Sequence, residues 1–557
     1  MARAQIALPP ADQPSRPRDL QSLPDELPRA PVRPELLLPV VPPGRAPEAG
    51  SLATQPALLL RALRFEGNTV FSAPELQEVV ARYLGTRIGA AELEAIRLAI
   101  TRRYIEAGYI NSGAVIPDQE VNDGELRMLV IEGRLTSIDI IGQHRFRPGY
   151  LRDRLARSAE PVLNVNRLQE QMQLLLQDPQ IERLSGELAP GSQPGEARLR
   201  VDVTGGPVYF ASFAYGNDRS PVVGTNQAEA FVGARNLFGA GEVITLRGAV
   251  TEGLDDGQFS VVMPIHASGT QVQFRLAKTR SRIVEAPLDQ LDISAASSGF
   301  DLALSQPLIT ALARSLIATA TVSNRRTRNY FLGQPSVFVP GAPDGVTTVS
   351  ALRLGLDWVG RSTQRVVALR GLVSFGLDAM GASVASAPGI ADSKFTSALV
   401  QGQWIERLGA RGTLVARAEN QQSNDSLLGP ERYALGGIDS VRGYRKDVQI
   451  RDSGWFSSIE YRHLVGHVRL PGQRAQAKTD GALQLAVFAD AGKGRLRNDP
   501  APAPGYLSSI GAGVRWEPYA GVQLHIYYGD ALHPVRTPTS TLADNGWHLR
   551  LTYVTSF

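Results

Sequence analysis

The chain has 557 residues and contains no cysteine. This absence excludes thiol catalysis and cysteine-ligated metal, and it fits an oxidising compartment in which the protein does not depend on disulfides. Its seven histidines are scattered and do not cluster with nucleophiles. No Ser/His/Asp arrangement or pair of carboxylates stands out. We therefore expect no catalytic site, no metal and no cofactor.

The chain also lacks any run of 18 apolar residues, so no transmembrane helix is expected. The hydrophobic residues, 43% of the chain, must therefore be distributed over short segments. Residues Met1 to Gln5 lack the charged-then-apolar pattern of a signal peptide. The protein is therefore either cytoplasmic or a mature form from which the signal peptide has been removed, and later features favour the mature form. The net charge of +4 gives no argument for a nucleic-acid partner. No nucleotide-binding G-x-x-x-x-G-K-[ST] motif occurs.

Proline is concentrated at the start of the chain. Residues 1–57 contain 13 of the 37 prolines, and this predicts an extended linker or a disordered tail. Residues 18–27 could form a short helix, although prolines on both sides limit its length. The linker is clearest from Pro28 to Pro56.

Residues 58–134 are predicted to form a compact α+β unit. Ser72-Ala73-Pro74-Glu75 has the pattern of a capping box with a proline in the first turn, and it opens a helix to about Leu84. A second helix has apolar residues at helical spacing and is stopped by Gly108. The predicted order is β-α-α-β-β, with elements near 58–65, 73–84, 90–107, 112–116 and 125–131.

Residues 135–206 repeat this element order. The expected elements are strands at 137–141, 184–188 and 197–203, a helix from Pro148 to about Arg157, and a second helix with the stripe Leu168, Met172, Leu175 and Leu176. Two successive units of the same order form an internal repeat. A helix pair packed on a three-stranded sheet leaves a free sheet edge, which can accept another chain by strand addition.

From about Pro207 the hydrophobic pattern changes from helical to period-two alternation. In 522–528, for example, Val522, Leu524 and Ile526 share one face, and Gln523 and His525 share the other. We count about sixteen such segments in 207–557, or about 22 residues for each strand with its connection, which is the pitch of a membrane β-barrel. They lie near 208–216, 227–237, 242–251, 257–266, 270–280, 295–306, 311–323, 346–358, 364–376, 393–406, 411–421, 453–463, 483–491, 507–517, 521–529 and 546–557.

The connections between these segments alternate in length. Those after odd-numbered strands are mostly long and those after even-numbered strands mostly short, as in outer-membrane barrels with long extracellular loops. One gap, 464–482, follows an even strand and is long, so that either the count is locally wrong or one periplasmic turn is extended. A soluble β-sandwich or propeller would also alternate, but it would need internal domain boundaries that the sequence does not show.

The last segment carries a row of apolar and aromatic residues that ends in a terminal phenylalanine. Trp547, Leu549, Leu551, Tyr553 and Phe557 share one face of the predicted strand. This resembles the targeting strand by which barrel-assembly machinery recognises outer-membrane proteins. The resemblance implies a bacterial outer-membrane location and contact with that machinery during biogenesis.

One long polar loop, 422–452, carries the motif Val441-Arg442-Gly443-Tyr444, and it follows the eleventh predicted barrel strand. A second motif, Phe488-Ala489-Asp490-Ala491-Gly492, is expected at the end of the thirteenth strand. Together with the two α+β units, these motifs resemble the two-partner secretion transporters, the TpsB family, which includes haemolysin-activator-like proteins of type V secretion. The resemblance covers residues 58–557 and identifies 58–134 and 135–206 as POTRA domains, located in the periplasm, before a sixteen-stranded transmembrane β-barrel.

In that family the sixth extracellular loop folds back into the barrel, and the Phe-x-Asp-x-Gly aspartate pairs with the loop arginine. The resemblance therefore implies that Arg442 contacts Asp490, with Phe488 and Gly492 beside it. The same pairing makes physical sense, because a loop in a hydrated lumen needs directed polar contacts and the guanidinium matches a carboxylate bidentately. Gly443 would allow a tight turn, and Tyr444 would pack the tip. The resemblance also allows an N-terminal plug helix within 1–57.

The function that the resemblance implies is export of a large secreted exoprotein, an adhesin or cytolysin, which the POTRA domains bind unfolded. Outer-membrane lipid would surround the barrel, and no nucleic acid is expected. An alternative in the same superfamily is a barrel-assembly factor, but such relatives usually have three to five POTRA domains and no Pro-rich leader. A passive porin would leave residues 58–205 without a role.

Overall fold

The structure is a computed structural model that describes residues 35–37, 58–121, 123–142, 145–336, 345–385, 389–470, 480–497 and 504–557. The N-terminal region predicted as a linker with a plug helix lies outside the described residues, except for 35–37. The chain divides into two compact units, one of residues 31–207 with 238–241 and one that contains 208–237 and 242–557. Within the described part of the chain, no helix is both long and apolar enough to cross a membrane.

The first α+β domain begins with a three-stranded sheet that carries two helices. The sheet order is β3-β6-β5, and a separate pair joins β2 to β4. Its elements are β2 (Leu58–Leu59), β3 (Ala62–Glu66), α1 (Ala73–Val80), β4 (Arg87–Ile88), α2 (Ala90–Glu106), β5 (Gly113–Val115) and β6 (Glu125–Ile131). The predicted order is present, with β2 and β4 added, and α1 ends at Val80 where a 3₁₀ turn continues to Tyr83.

The helices of the first domain bury the residues that the helical spacing singled out. Leu93, Ile96, Ile100 and Tyr104 of α2 face the sheet and are buried. The Tyr104 hydroxyl donates to Glu132 Oε1 at 2.9 Å. Burial, together with this hydrogen bond, raises the pKa of Tyr104, so the hydroxyl remains a donor.

The second α+β domain repeats the arrangement with longer strands. Leu151, Leu155, Leu168 and Met172 of its two helices pack on the inner face of the sheet. Its elements are β7 (Arg134–Ile141), α3 (Pro148–Ala159), α4 (Val165–Leu175), β8 (Ile181–Pro190) and β9 (Glu196–Gly205). Asn164 is the N-cap of α4, and its side chain accepts the backbone N–H groups of Asn166 and Arg167.

The sheet of the second domain has four strands rather than the expected three. A short strand from the Pro-rich leader, β1 (Glu35–Leu37), pairs in parallel with β8 and gives the order β1-β8-β9-β7. A three-stranded sheet was expected to leave a free edge; in the described part of the chain β1 covers the β8 edge, whereas β7 remains at the other edge of the sheet. A sequence pattern cannot reveal this pairing, because the two strands are about 150 residues apart in the chain and three residues carry no periodicity.

The C-terminal region forms a closed antiparallel barrel of sixteen long strands, which confirms the predicted fold class. Strand β10 pairs with β11 on one side and with the last strand, β28, on the other. The first ten long strands, with the two-residue β17, are β10 (Tyr209–Gly216), β11 (Gln227–Arg235), β12 (Val243–Val250), β13 (Leu254–Pro264), β14 (Gln271–Arg282), β15 (Ser294–Thr310), β16 (Arg314–Phe331), β17 (Gln334–Pro335), β18 (Val346–Arg361), β19 (Arg365–Leu377) and β20 (Thr396–Leu408).

The remaining strands complete the barrel and add a small hairpin. They are β21 (Gly412–Ser423), β22 (Tyr433–Leu435), β23 (Gln449–Arg451), β24 (Ser453–His467), β25 (Ala482–Arg495), β26 (Leu507–Glu517), β27 (Val522–Ala531) and β28 (Trp547–Ser556). Strands β22 and β23 pair only with each other and lie in the loop between the eleventh and twelfth barrel strands, β21 and β24. Several barrel strands exceed the ten residues expected, up to 18 in β16, because strands can continue beyond the membrane as part of the same ladder.

Side chains alternate between the two faces of the barrel wall. On β14, Phe274 and Leu276 are exposed on one face, whereas Arg275 and Thr279 are buried on the other. The exposed apolar face is the outer face of the barrel, and the polar face lines the interior. Period-two alternation in the sequence therefore predicted both the strands and their orientation.

Candidate functional site

The loop between β21 and β24 enters the barrel interior and is built as a hairpin with a compact tip. Strands β22 and β23 pair through Tyr433–Leu435 and Gln449–Arg451, and they carry the tip, residues 436–448. At the tip, Val441 and Arg442 are buried at 0% and 1% exposure. A polar loop is buried to this degree only when the surrounding wall satisfies its hydrogen bonds.

Arg442 is held by the inner faces of two neighbouring strands. Its Nε donates to Asp490 Oδ2 at 2.8 Å, and its Nη2 donates to Asp490 Oδ1 at 2.9 Å, which is the bidentate geometry. Its Nη1 donates to Glu460, and Nη2 also donates to Ser458 Oγ at 3.1 Å. The Asp490 carboxylate additionally accepts the backbone N–H of Arg442 at 3.0 Å. The structure thus brings Arg442 and Asp490 together and adds Glu460 as a second carboxylate.

The charges around Arg442 balance within a short distance. Glu460 also accepts from Arg462 Nε at 2.6 Å and from the Tyr527 hydroxyl at 3.0 Å. Two arginines and two carboxylates therefore face one another in an almost fully buried patch, where an unpaired member would carry a large desolvation cost. The patch is stable as a set, and removing one member unbalances the others.

The ring of Phe488 packs against the guanidinium group of Arg442. The guanidinium carbon lies 3.5 Å from the Phe488 ring centroid, a cation–π contact. Phe488, Asp490 and Gly492 all point inward from β25. The expectation that this motif ends its strand was wrong, because β25 continues to Arg495. At Gly492 a Cβ would lie 3.1 Å from Val441 Cγ2, so the glycine makes room for the tip.

Gly443 makes the closest backbone approach of the tip to the wall. Its φ of +87° is in the left-handed region, and a Cβ there would lie 2.8 Å from Gly529 O. A Cβ on Gly529 would in turn lie 2.7 Å from Gly443 N. The Gly443 N–H donates to His548 Nε2 at 3.4 Å. Two facing glycines therefore allow the loop backbone to contact β27 directly.

Tyr444 and Val441 anchor the tip in a small apolar cluster that also contains Tyr433, Leu435, Phe456 and Leu507. The Tyr444 hydroxyl lies 3.0 Å from Ser508 O and 3.1 Å from His533 O. Sequence reasoning placed Tyr444 at the tip as a packing residue, and the side chain is 3% exposed. The tip is thus held by apolar burial as well as by ion pairs.

Two further arginines attach the loop elsewhere. Arg445 donates to Glu285 Oε1 at 2.8 Å and, through Nε and Nη2, to both carboxylate oxygens of Asp544. Near the start of the loop, Glu431 accepts two hydrogen bonds from the buried Arg353 of β18, at 3.0 and 2.8 Å. The loop is therefore fixed at three separate points. Its contacts with the barrel wall include β18 at one end of the loop and strands β24 to β28 at the tip.

The terminal strand closes the barrel and presents the predicted apolar row outward. Trp547, Leu551, Tyr553 and Phe557 are exposed, and Leu549 is half-buried on the same face. The backbone of Phe557 exchanges hydrogen bonds with Tyr209 at 2.9 and 3.0 Å. Recognition of this row by barrel-assembly machinery remains a prediction.

Within the described ranges, no group of three or more His, Cys, Asp or Glu residues lies close enough to hold a metal ion. Two of the histidines, His463 and His467, are four residues apart, a spacing that suits a metal site on a helix. They lie on strand β24 instead, where residues four apart are separated by roughly 13 Å.

Fold and site together define a class: an outer-membrane β-barrel whose interior holds an arginine-anchored loop and whose N-terminal part is an α+β repeat. Comparison with known proteins gives the family. The model of the haemolysin secretion/activation protein ShlB/FhaC/HecB matches residues 195–516, and the model of the ShlB-type POTRA domain matches residues 58–133. The chain therefore belongs to the ShlB/FhaC/HecB family of outer-membrane transporters, as its resemblance to two-partner secretion transporters indicated.

Individual relatives agree with this assignment. The outer membrane transporter CdiB of Dickeya dadantii is 23% identical over 424 residues, which cover 73% of each chain. The solved structure of CdiB from Escherichia coli superposes with a TM-score of 0.69 at 20% identity, over 92% of this chain and 93% of that one. CdiB from Acinetobacter baumannii gives a TM-score of 0.62 at 16% identity, over 90% of both chains.

Sequence reasoning found Arg442 and Asp490 but missed most of their surroundings. Glu460 and Arg462 alternate inward on β24, and this period-two pair of opposite charges was a signal that could have been noticed. Gly529 and His548 carried no comparable signal, because a single glycine or histidine in a strand has many roles. Their importance follows from where barrel closure places them.

Proposed function

We propose that the barrel exports an unfolded exoprotein through its lumen and that the loop 422–452 must shift to let the chain pass. In this proposal residues 58–134 and 135–206 form two POTRA domains that bind the partner, and residues 207–557 form the channel. The observation that supports it most directly is the loop itself, since residues 436–448 occupy the interior and are held by removable polar contacts.

The contact geometry supports a loop that can undock. The loop is bound by three sets of ion pairs, two of them at the tip, and by one small apolar cluster rather than by continuation of the barrel ladder. Such contacts break without disturbing the hydrogen bonds between barrel strands. Undocking would leave a lumen lined by polar side chains, which can solvate a polypeptide without binding it tightly.

The partner that fits this arrangement is a large secreted protein delivered unfolded to the periplasmic domains. Exposed strand edges bind extended chains through backbone hydrogen bonds and therefore tolerate many sequences. The chain has no G-x-x-x-x-G-K-[ST] motif, so we propose that folding of the partner outside the cell makes export irreversible. Barrel-assembly machinery would bind the terminal strand during biogenesis, and lipid would cover the outward row.

The proposal is tested by deleting the gene and then restoring variants at equal barrel levels. Deletion should remove the exoprotein encoded beside the transporter from the medium while other outer-membrane barrels stay at normal abundance; broad loss of barrels would instead favour an assembly factor. Restoration with Arg442→Ala should give at least a tenfold lower secretion than restoration with Arg365→Ala, because a loop that cannot redock can no longer alternate between the two arrangements that export requires. Arg365 is an exposed arginine paired with Glu406 away from the loop. Undiminished secretion with Arg442→Ala would contradict the role of the loop.

A further inference from the structure

Five basic side chains lie close together on the outer face of the barrel wall. All five are exposed, whereas the residues between them on each strand, such as Thr279 and Thr327, are buried on the interior face. A cation on the outer face of a membrane barrel is costly near the bilayer midplane and costs little only near the membrane surface. We refer to these five residues as the basic cluster: Lys278, Arg280 and Arg282 on β14, and Arg326 and Arg328 on β16.

Four members of the basic cluster surround a floor of small residues. Two rows of opposite residues cross from β14 over β15 to β16, and in each row a small residue separates two cations. Because adjacent strands lie about 4.8 Å apart and alternate residues of a strand about 7 Å apart, the four cations form a rectangle of about 7 by 10 Å. Lysine and arginine side chains are long enough to meet over its centre. The rows are Lys278, Ser298 and Arg326, and Arg280, Ala296 and Arg328.

The basic cluster has a large excess of positive charge. In the part of the chain that the structure describes, none of its five side chains forms a hydrogen bond, an ion pair or a cation–π contact. The outward positions of β13 to β16 carry one acidic residue, Asp255, which lies opposite Arg280 without forming an ion pair. Five cations against one carboxylate leave four unbalanced positive charges. The cluster therefore favours an anionic ligand.

The basic cluster lies toward the extracellular end of the barrel. The first barrel strand begins at Tyr209, next in the chain after the periplasmic α+β domains, and successive strands alternate in direction. Strand β14 therefore runs away from the periplasmic side and ends at Arg282. Phe274 and Leu276 precede the cations on the same face, and both are exposed. The cluster thus begins where the apolar belt of the wall ends, at the level of the lipid headgroups of the outer leaflet.

A groove in the outer face adjoins the basic cluster on the side of β13. It has a volume of about 750 Å³, and Lys278 and Arg280 line it on one side. Its floor contains Gly248 and Gly257, which lie opposite each other on β12 and β13. A Cβ on Gly248 would meet nothing within 4 Å, so the groove is open at this point. The other side is mainly apolar and contains Phe213, Tyr215, Val250, Leu551 and Tyr553.

We propose that the basic cluster and the groove together bind a phosphorylated lipid of the outer leaflet, the chemical class to which lipid A belongs. A phosphate over Ala296 and Ser298 would accept charge-assisted hydrogen bonds from the four surrounding cations. An acyl chain of the same molecule would lie in the groove, where it contacts apolar side chains. Apolar surface directly beside the cations favours a lipid over a soluble polyanion, which would leave the groove empty. The site is separate from the loop tip, and the inference does not depend on export of a partner.

The ligand class is tested by competition in the full-length transporter, purified in an uncharged detergent. The probe is a fluorescent lipid A, which the parent should bind saturably. Unlabelled lipid A should displace it at a concentration about tenfold or more below that needed of the same lipid without its phosphates, because only the phosphorylated form satisfies the cations. Inorganic phosphate and heparin, which lack acyl chains, should not displace the probe at the same concentration. Equal displacement by the two lipids would overturn the proposal, and so would equal displacement by either soluble anion.

Two double variants test the basic cluster. Arg280→Gln with Arg328→Gln removes one row of cations and should weaken lipid A binding about tenfold or more. The matched control, Arg365→Gln with Arg407→Gln, removes two exposed arginines at the opposite end of the barrel, on β19 and β20, and should change binding less than about twofold. Equal binding by the two double variants, with both barrels folded, would refute the role of the cluster.

Two glycine variants test the groove. Gly248→Leu places a side chain in the groove and should weaken lipid A binding about fivefold or more, because it takes the space of the acyl chain. The control, Gly371→Leu, adds the same side chain at an open outward position of β19 and should leave binding unchanged. Since neither added Cβ meets an atom within 4 Å, both barrels should fold. Unchanged binding by Gly248→Leu would show that the groove holds no acyl chain and would overturn the proposed site.

Discussion

Replacing Arg442 with alanine should release the loop tip from the barrel wall. The guanidinium makes four hydrogen bonds, two to Asp490, one to Glu460 and one to Ser458. Without it, Asp490 loses both of its bonds to the guanidinium, and Glu460 keeps its bond to Arg462. Breaking a buried ion pair by removing one partner costs about 3–5 kcal/mol, which corresponds to a factor of about 100–4,000 in the docking equilibrium.

The docking equilibrium can be read from the reactivity of a single thiol in the tip. Ser440 is fully buried, and its hydroxyl exchanges hydrogen bonds with the backbone of Gly436. In a Ser440→Cys background the only thiol of the protein reacts with a maleimide when the tip undocks. Adding Arg442→Ala should therefore raise the labelling rate by about 100-fold or more, up to the rate of an unprotected thiol.

Two comparisons make this experiment decisive. Arg442→Lys keeps the charge but loses the planar fork, so its labelling rate should lie between those of the parent and Arg442→Ala. Arg365→Ala removes an exposed ion pair, worth about 0–1 kcal/mol, and should change labelling less than twofold because that pair does not touch the loop. If Arg442→Ala labels less than threefold faster than the parent while the barrel remains folded, the apolar cluster and Arg445 hold the tip and the reasoning about Arg442 is wrong.

The remaining predictions use the same thiol probe. Arg445→Ala should raise labelling about tenfold, because it frees the loop from Glu285 and Asp544 but leaves the Arg442 patch intact; no change would show that this outer anchor does not restrain the tip. Gly529→Ala should also raise the labelling rate at least tenfold, because the new Cβ would lie 2.7 Å from the backbone nitrogen of Gly443 in the tip. The control Gly371→Ala should leave the rate unchanged, because a Cβ at that position meets nothing within 4 Å. Equal labelling of these two glycine variants would refute the close-contact argument.

The balanced charges around Arg442 also explain how the loop could move between two positions while the strands of the barrel wall stay in place. Docked, Arg442 satisfies Asp490 and Glu460 at once. Undocked, the carboxylates regain water, so both states can satisfy their polar groups and only the intermediate is costly. Two arrangements with satisfied groups are what a reversible gate requires.

The sequence by itself determined the elements whose signal is local. Sixteen alternating segments appear at the predicted places, because successive side chains of a strand point to opposite faces, and one face of this barrel wall is apolar while the other is polar. The helices of the α+β domains appear within a few residues of their predicted bounds, since capping and 3.6-residue spacing are also local. Arg442 and Asp490 could be paired from the sequence only through resemblance to a family.

Tertiary structure decided the contacts between residues that are remote in the chain. The tip meets His548 across 105 residues and Glu285 across 160, and no periodicity links such positions. Barrel closure sets which inward side chains face the loop, and it therefore selected Glu460 and Gly529 from many similar residues. The leader strand β1 on the β8 edge has the same origin: a three-residue strand has almost no stability of its own, so its position depends on the backbone partner that β8 provides.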